Sequence, residues 1–199
     1  RLQEVVLNMG GLHNIENAVA AIAIAKQLHI EDEKIKAAVA DFKGVKRRFE
    51  YIIPPANNIQ TVYVDDYAHH PAELEALITS AKQLFPDKKC TVVFQPHLFS
   101  RTRDFAAAFA ASLDLADEII LLPVYPAREL SIAGVTSKTI YDKMKNEQKH
   151  IMQKAEALNW IKKSYDQHNP GLLITAGAGD IDQLVQPVKE ILERREVNG

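Results

Sequence analysis

"TVYVDDYAHHPAELEALITSAKQLF", Thr61 to Phe85, decides how this chain is built. It opens on a β-branched and aromatic run and passes through two aspartates, a tyrosine and two histidines. It closes on an amphipathic segment introduced by Pro71. The run "TVYV" predicts a strand. After it, Leu74, Leu77, Ile78, Ala81, Leu84 and Phe85 recur at spacings of three and four, which places them on one apolar helical face. Proline suits the first helical turn, and Glu73 and Glu75 complement the positive end of the helix dipole. All the titratable groups between them fall where strand hands over to helix.

Outward from Thr61 this unit repeats. The apolar runs "CTVVF", "EIILL" and "GLLIT", with a weaker "KHIM", alternate with helical segments. These are "DFAAAFAASLDLA", with Phe105, Phe109 and Leu113 on one stripe, "AEALNWIKKSYDQ" and "DIDQLVQPVKEILERR". Pro187 predicts a kink or a late start in the last of them. Strands that are apolar throughout, each followed by a helix, indicate a parallel sheet covered on both faces. The expected fold is α/β, an open, doubly wound, mostly parallel, Rossmann-like sheet. "FEYIIPP" begins it as an edge strand stopped by Pro54 and Pro55, and "PANN" reads as a turn.

The first ~45 residues differ in pattern. "LQEVVL" predicts a short strand, and "NIENAVAAIAIAKQLHI" and "EDEKIKAAVADF" predict two helices joined by a brief acidic turn. Two such helices have too little core to stand alone, so they read as the tail of a preceding domain. Gly44 in "KGVKRRFE" supplies the hinge.

Composition narrows the function. Of 199 residues, 47% are hydrophobic and 25% charged, as in ordinary soluble globular proteins. Lys and Arg number 24 against 26 Asp and Glu, a net charge of −2 that gives no field for steering nucleic acid or an anionic membrane. The single cysteine, Cys90, excludes an internal disulfide and a multi-thiolate zinc site, and its apolar run predicts a buried, inert thiol. No apolar stretch approaches the ~20 residues that span a bilayer. The start lacks both a signal-peptide core and a methionine, so a piece of a longer cytoplasmic protein is expected.

In open α/β sheets, ligands bind outside the carboxyl ends of the strands. Asp65, Asp66 and the loop Tyr67–His70 fall at that rim, as do His97, Arg101 and Arg103 of "FQPHLFSRTRD". Ser100 or Thr102 can cap the helix that follows, whose start favours anions. "PVYPARE" adds Tyr125, Arg128 and Glu129, and "TAGAGDI" adds a glycine turn. Singly, each has a bland reading: a solvated histidine pair, an Asx turn, a surface arginine. Four polar rims in succession read as a site. Asp65, Asp66, His69, His70 and His97 include possible metal ligands, but their spacing matches no recognised metal motif, and the arginines fit an anionic organic substrate better. No G-x-S-x-G elbow and no G-x-x-x-x-G-K-[ST] loop is present, so ATP chemistry needs a part that this chain lacks.

"GLHNIENAVAA", "FKGVKRRFE", "VDDYAHHP" and "FQPHLFSRTRD" together resemble the Mur ligases of peptidoglycan synthesis. The resemblance covers most of the chain, and only the region after about Thr136 is generic. It implies that residues 1–46 end a central ATP-binding domain and that 47–199 form a C-terminal domain that closes over the site. It implies an ATP-dependent ligase in which L-alanine attacks the carboxylate of UDP-N-acetylmuramate, activated as an acyl phosphate. Mg2+ is implied too, with its ligands outside this chain. Asn14 and Asn17 match the pair that reads adenine, although Asn14 also fits a helix N-cap. Arg48 (or Arg47) matches an arginine that reaches ATP, and Asp66 an aspartate near the ribose. Tyr67, His69, His97 and Arg101 match positions on the acceptor side, with His69 and Arg101 the expected catalytic pair. Leu98 departs from a form of the motif with arginine after the histidine, which shifts anion binding onto Arg101, helped by Arg103. By itself the chain is expected to be inactive. Two other readings are a murein tripeptide-recycling ligase of the same family and a non-catalytic nucleotide- or sugar-nucleotide-binding module.

Overall fold

The structure is a computed structural model that describes residues 2–7, 12–42, 44–55, 61–163, 165 and 171–196. Its strands are β1 (Glu50–Ile53), β2 (Val62–Asp66), β3 (Lys89–Phe94), β4 (Glu118–Leu121), β5 (Lys149–Ile151) and β6 (Gly171–Ala176). They form a six-stranded sheet in the order β1-β2-β6-β3-β4-β5. β1 pairs antiparallel with β2 as an edge, and the other four pairings are parallel. The expected doubly wound sheet is therefore present, with β6 inserted between β2 and β3.

Both faces are covered, which is why the central strands carry apolar residues at successive positions. Val64, Val92, Phe94, Leu121 and Ile174 face one core, with α3 (Pro71–Leu84) and α5 (Ala106–Leu113) packed on it. Tyr63, Val93, Ile120 and Leu173 face the other, beneath α7 (Lys154–Lys163) and α8 (Val185–Glu196). Pro187 does delay its helix: a 3-10 turn at Asp180–Leu184 leads into α8, and the proline sits near the start. Cys90 is buried, and burial pushes its thiol up to about 12.

Several local expectations need correction. Leu84 is exposed at the last residue of α3, where the helix runs past the core, and Phe85 is only partly buried. Phe109 and Leu113 are buried, but Phe105 is exposed, because it joins α4 (Phe99–Asp104) to α5 and belongs to neither helix interior. Residues 2–7 form no strand: Glu4 has a positive φ of 57°, which breaks a continuous extended run. Beyond Pro55, the turn expected at "PANN" lies outside the described residues.

The helical pair is α1 (Leu12–Gln27) and α2 (Asp32–Asp41), with α6 (Lys138–Tyr141) completing the helices. Because α1 begins at Leu12, Asn14 lies inside the helix rather than at its cap. Gly44 has a φ of 93° and breaks the chain as expected. Among the described residues, no helix is long and apolar enough to cross a membrane.

Candidate functional site

Parallel pairing brings the carboxyl ends of β2, β6, β3 and β4 to one rim. The backbone stitches it together: Gly177 N–H donates to Asp66 O at 3.1 Å, Gln95 N–H to Ala176 O at 3.0 Å and Leu122 N–H to Phe94 O at 2.9 Å. The four loops foreseen as polar therefore lie side by side.

A row of rings crosses this rim. The Arg47 guanidinium lies 5.3 Å from the Tyr67 ring centre, Tyr67 meets His69 edge-on at 5.2 Å, and His69 meets His97 at 6.0 Å. His97 then stacks on Tyr125, with centroids 5.8 Å apart and planes 18° from parallel. His69 Nδ1 lies 3.0 Å from Tyr67 O and 3.2 Å from Glu73 Oε2, two acceptors that assign the proton to Nδ1 and leave Nε2 as the ring's acceptor. Glu73 also accepts from the His69 and His70 N–H groups at the start of α3. His97 Nδ1 is buried with no hydrogen-bond partner among the described residues. Burial, with Arg101 and His69 nearby, pulls the His97 pKa below its ordinary value, which favours the neutral ring.

Arg101 projects from α4, and its Nη1 lies 3.4 Å from His69 O, a long contact that leaves most of its donors available. Arg103 is exposed and engages its neighbour Asp104 at 2.7 Å, so it points its charge away from a shared role with Arg101. The capping expected of Ser100 or Thr102 is absent. Thr102 Oγ1 donates back to Leu98 O, and the Ser100 hydroxyl donates to Glu129, so neither caps the backbone. Leu98 itself is the N-cap, with a φ of 69° that a branched side chain seldom adopts. Its N–H is held by Tyr125 O at 2.9 Å.

On the other flank lies a cleft of about 400 Å³ lined by Asn17, Arg47, Arg48, Asp66, Tyr67 and Ala68, among others. A second, mostly apolar groove of about 520 Å³ between α1 and α2 shares Asn17 and Arg48 and adds Asn14. Asn14 is buried and Asn17 exposed. The two arginines differ. Arg47 is committed: Nε donates to Asp65 Oδ2 at 3.0 Å and Nη2 to Gly177 O at 2.6 Å. Arg48 is exposed, and its guanidinium makes no hydrogen bond or ion pair to any described residue. Asp66 accepts from Phe49 N–H at 2.6 Å and from Ala68 N–H at 2.7 Å, which fixes its carboxylate at the edge of the cleft.

Asp65, foreseen at the rim, turns inward instead. It is buried, bonded to Thr175 Oγ1 at 2.6 Å as well as to Arg47, and desolvation raises its pKa. Among the described residues, no three His, Cys, Asp or Glu side chains gather as they would around a metal ion. Three features carried no assigned role in the sequence: the Tyr125 stack, the Glu129 clamp and the Gln95–Asp180 bond at 2.8 Å. "PVYPARE" placed the first two at the rim, but nothing local signals their partners.

A family model described as "Mur ligase, glutamate ligase domain" matches residues 47–179. The UDP-N-acetylmuramate–L-alanine ligase of Cytophaga hutchinsonii is 48% identical over 195 residues, covering 98% of this chain and 40% of that protein. The ligase of the same name from Parabacteroides distasonis is 47% identical over 192 residues, covering 96% of this chain and 40% of its own length. Among solved structures, the UDP-N-acetylmuramate–alanine ligase of Thermotoga maritima superposes with a TM-score of 0.76 at 29% identity, over 100% of this chain and 41% of that one. This chain spans about 40% of the length of the curated relatives it matches.

Proposed function

The chain belongs to the Mur ligase family, and from that premise we propose that it is the lid of an ATP-dependent ligase that joins L-alanine to UDP-N-acetylmuramate in peptidoglycan synthesis. Relatives 48% and 47% identical to this chain carry that activity in their names. The observation that carries the reading in this structure is the rim itself. One edge of it gathers Asn17, Arg48 and Asp66 around a cleft, and the ring row leads from there to Arg101.

In this reading, residues 1–46 close a central ATP-binding domain and residues 47–199 form the C-terminal domain. The family match begins at residue 47, and Val6, Ile15, Val19, Leu28 and Val45 leave apolar surface uncovered on the helical side. A cytoplasmic location follows from the same assignment.

The residues present fit ATP. Asn14 and Asn17 offer amides that donate and accept at once beside an apolar groove, as an adenine ring requires. Arg48, exposed and with no guanidinium partner among the described residues, is the arginine that reaches the nucleotide, and Asp66, lining the same cleft, is the carboxylate that meets the ribose hydroxyls. ATP with Mg2+ would supply activation of the muramoyl carboxylate, with the magnesium ligands lying outside this chain. Tyr67, His69 and His97 line the acceptor side, where His69 Nε2 can accept a proton from the attacking amine. Arg101 aims cationic donors at the negative charge that develops on the reacting carboxylate, a role typically worth about 3–4 kcal/mol in the transition state. Closing the domain over these groups excludes water from a hydrolysable intermediate.

The test is phosphate release by the complete protein with UDP-N-acetylmuramate and each amino acid in turn. Release that depends on L-alanine supports the proposal. Release with a murein tripeptide alone, or with no acceptor at all, would replace it.

A further inference from the structure

Helix α4 carries Arg101, yet it has six residues and its N-cap is Leu98, which has no side-chain oxygen to cap with. A helix that short is not stable by its own propensity. Its first turn is held from outside. Glu129, in the loop after β4, accepts from Ser100 N–H at 2.9 Å through Oε2 and from the Ser100 hydroxyl through Oε1. Each carboxylate oxygen thus accepts from Ser100, the residue next to Arg101, and the Phe99 backbone adds to the clamp. The same loop holds the preceding residue pair through Leu98 N–H to Tyr125 O at 2.9 Å and Tyr125 N–H to Pro96 O at 2.8 Å. Arg101 has little tether of its own, its contact to His69 O being 3.4 Å. The direction of its side chain is therefore set by the turn from which it springs.

We propose that Glu129 is a positioning residue: through Ser100 it fixes the first turn of α4 and thereby aims Arg101 at the acceptor side of the rim. The proposal rests on the role given to Arg101 above. In this role Glu129 holds Ser100 and acts on the reaction only through Arg101.

The decisive experiment is a double-variant comparison in the complete ligase. Glu129→Ala should lower kcat for alanine-dependent phosphate release by roughly tenfold to a hundredfold, the scale of a small misplacement of a catalytic group. The KM for ATP should not move. In an Arg101→Ala background the same change should cost nothing further, since its effect passes through Arg101. Glu129→Gln, whose amide oxygen still accepts from Ser100, should recover part of the loss, and it carries the comparison if the alanine variant does not fold. Two losses that multiply, or an unchanged kcat, would overturn the proposal. In the 199-residue chain itself, Glu129→Ala should speed hydrogen exchange at the Ser100 amide and shift the Arg101 Nε–H resonance. If both stay unchanged, the positioning claim fails whatever the enzyme ligates. If they change while the wild-type complete protein shows no alanine-dependent release, only the assignment of function fails.

Discussion

Arg47 Nε donates to Asp65 Oδ2 at 3.0 Å, and this pair separates the tasks of two consecutive arginines. Asp65 is buried at the end of β2, and its second oxygen accepts from Thr175, which in turn lies 3.1 Å from the Tyr63 hydroxyl. Arg47 closes this buried network, reaches Gly177 O just past the end of β6 and covers the Tyr67 ring. It ties the hinge to the sheet. Arg48, the next residue, is left outside.

Arg47→Ala should therefore destabilise the chain by about 3–5 kcal/mol, because it leaves the buried Asp65 carboxylate without its cation. Arg48→Ala should change stability by less than about 0.5 kcal/mol, as expected for an exposed side chain without partners. In the complete ligase, Arg48→Ala should raise the KM for ATP. Urea denaturation of the two variants checks the first pair of expectations. Equal losses of stability would show that the two arginines share the hinge contact.

What the sequence made legible is what local pattern controls. Every strand from "TVYV" to "GLLIT" was visible because burial on both faces makes it apolar at successive positions. The helix at Pro71 was visible through its spacing, and only its final residue, Leu84, ran past the core. The rim followed from topology, since parallel strands put their carboxyl ends together. The unforeseen parts are contacts between residues far apart in sequence. Glu129 holds Ser100 from 29 positions away, and Arg47 reaches Gly177 across 130. "KRR" alone could not say which arginine faces inward, and a serine in a first turn looks like a cap until a distant carboxylate takes it.

His97 predicts a pH dependence of stability. Its folded pKa lies below the unfolded value near 6.5, chiefly through burial and then through Arg101 and His69. Between the two values the unfolded chain binds more protons than the folded one, so stability rises with pH through that window. The contribution is fully present above about 6.5 and is lost as pH falls through the folded pKa. Thermal melts from pH 5 to 8 should thus show wild type losing more stability on acidification than His97→Gln. Parallel slopes for the two would remove His97 as the source.

Gly177 is a position where only glycine fits. Its φ of 147° is a conformation L residues seldom adopt, and an added Cβ would stand 2.8 Å from Gln95 O, a backbone atom that cannot move aside. Gly177→Ala should cost about 1–3 kcal/mol. For a chain of this size, each kcal/mol corresponds to roughly 2–4 °C in Tm. The loss should also loosen the Arg47 contact to Gly177 O, making Gly177→Ala and Arg47→Ala less than additive in a double variant. Strict additivity in denaturation would show that the turn and the hinge are independent.

Arg101 carries the strongest catalytic expectation. It leaves α4 beside the His69–His97 ring contact, its guanidinium's only hydrogen bond among the described residues is the long one to His69 O, and Leu98 rather than a second arginine stands near it. If it stabilises charge that develops during transfer, Arg101→Ala in the complete ligase should cut kcat by about 10²–10³-fold. The KM for ATP should change little, because Asn14, Asn17, Arg48 and Asp66 line the separate flank of the rim. Arg101→Lys should restore only part of the rate, since lysine keeps the charge but loses the planar fork that meets two oxygens at once. Steady-state kinetics on both variants, with melts to show that they stay folded, check this. A kcat equal to wild type in Arg101→Ala would leave the residue as a surface arginine and return the charge-stabilising role to another part of the enzyme.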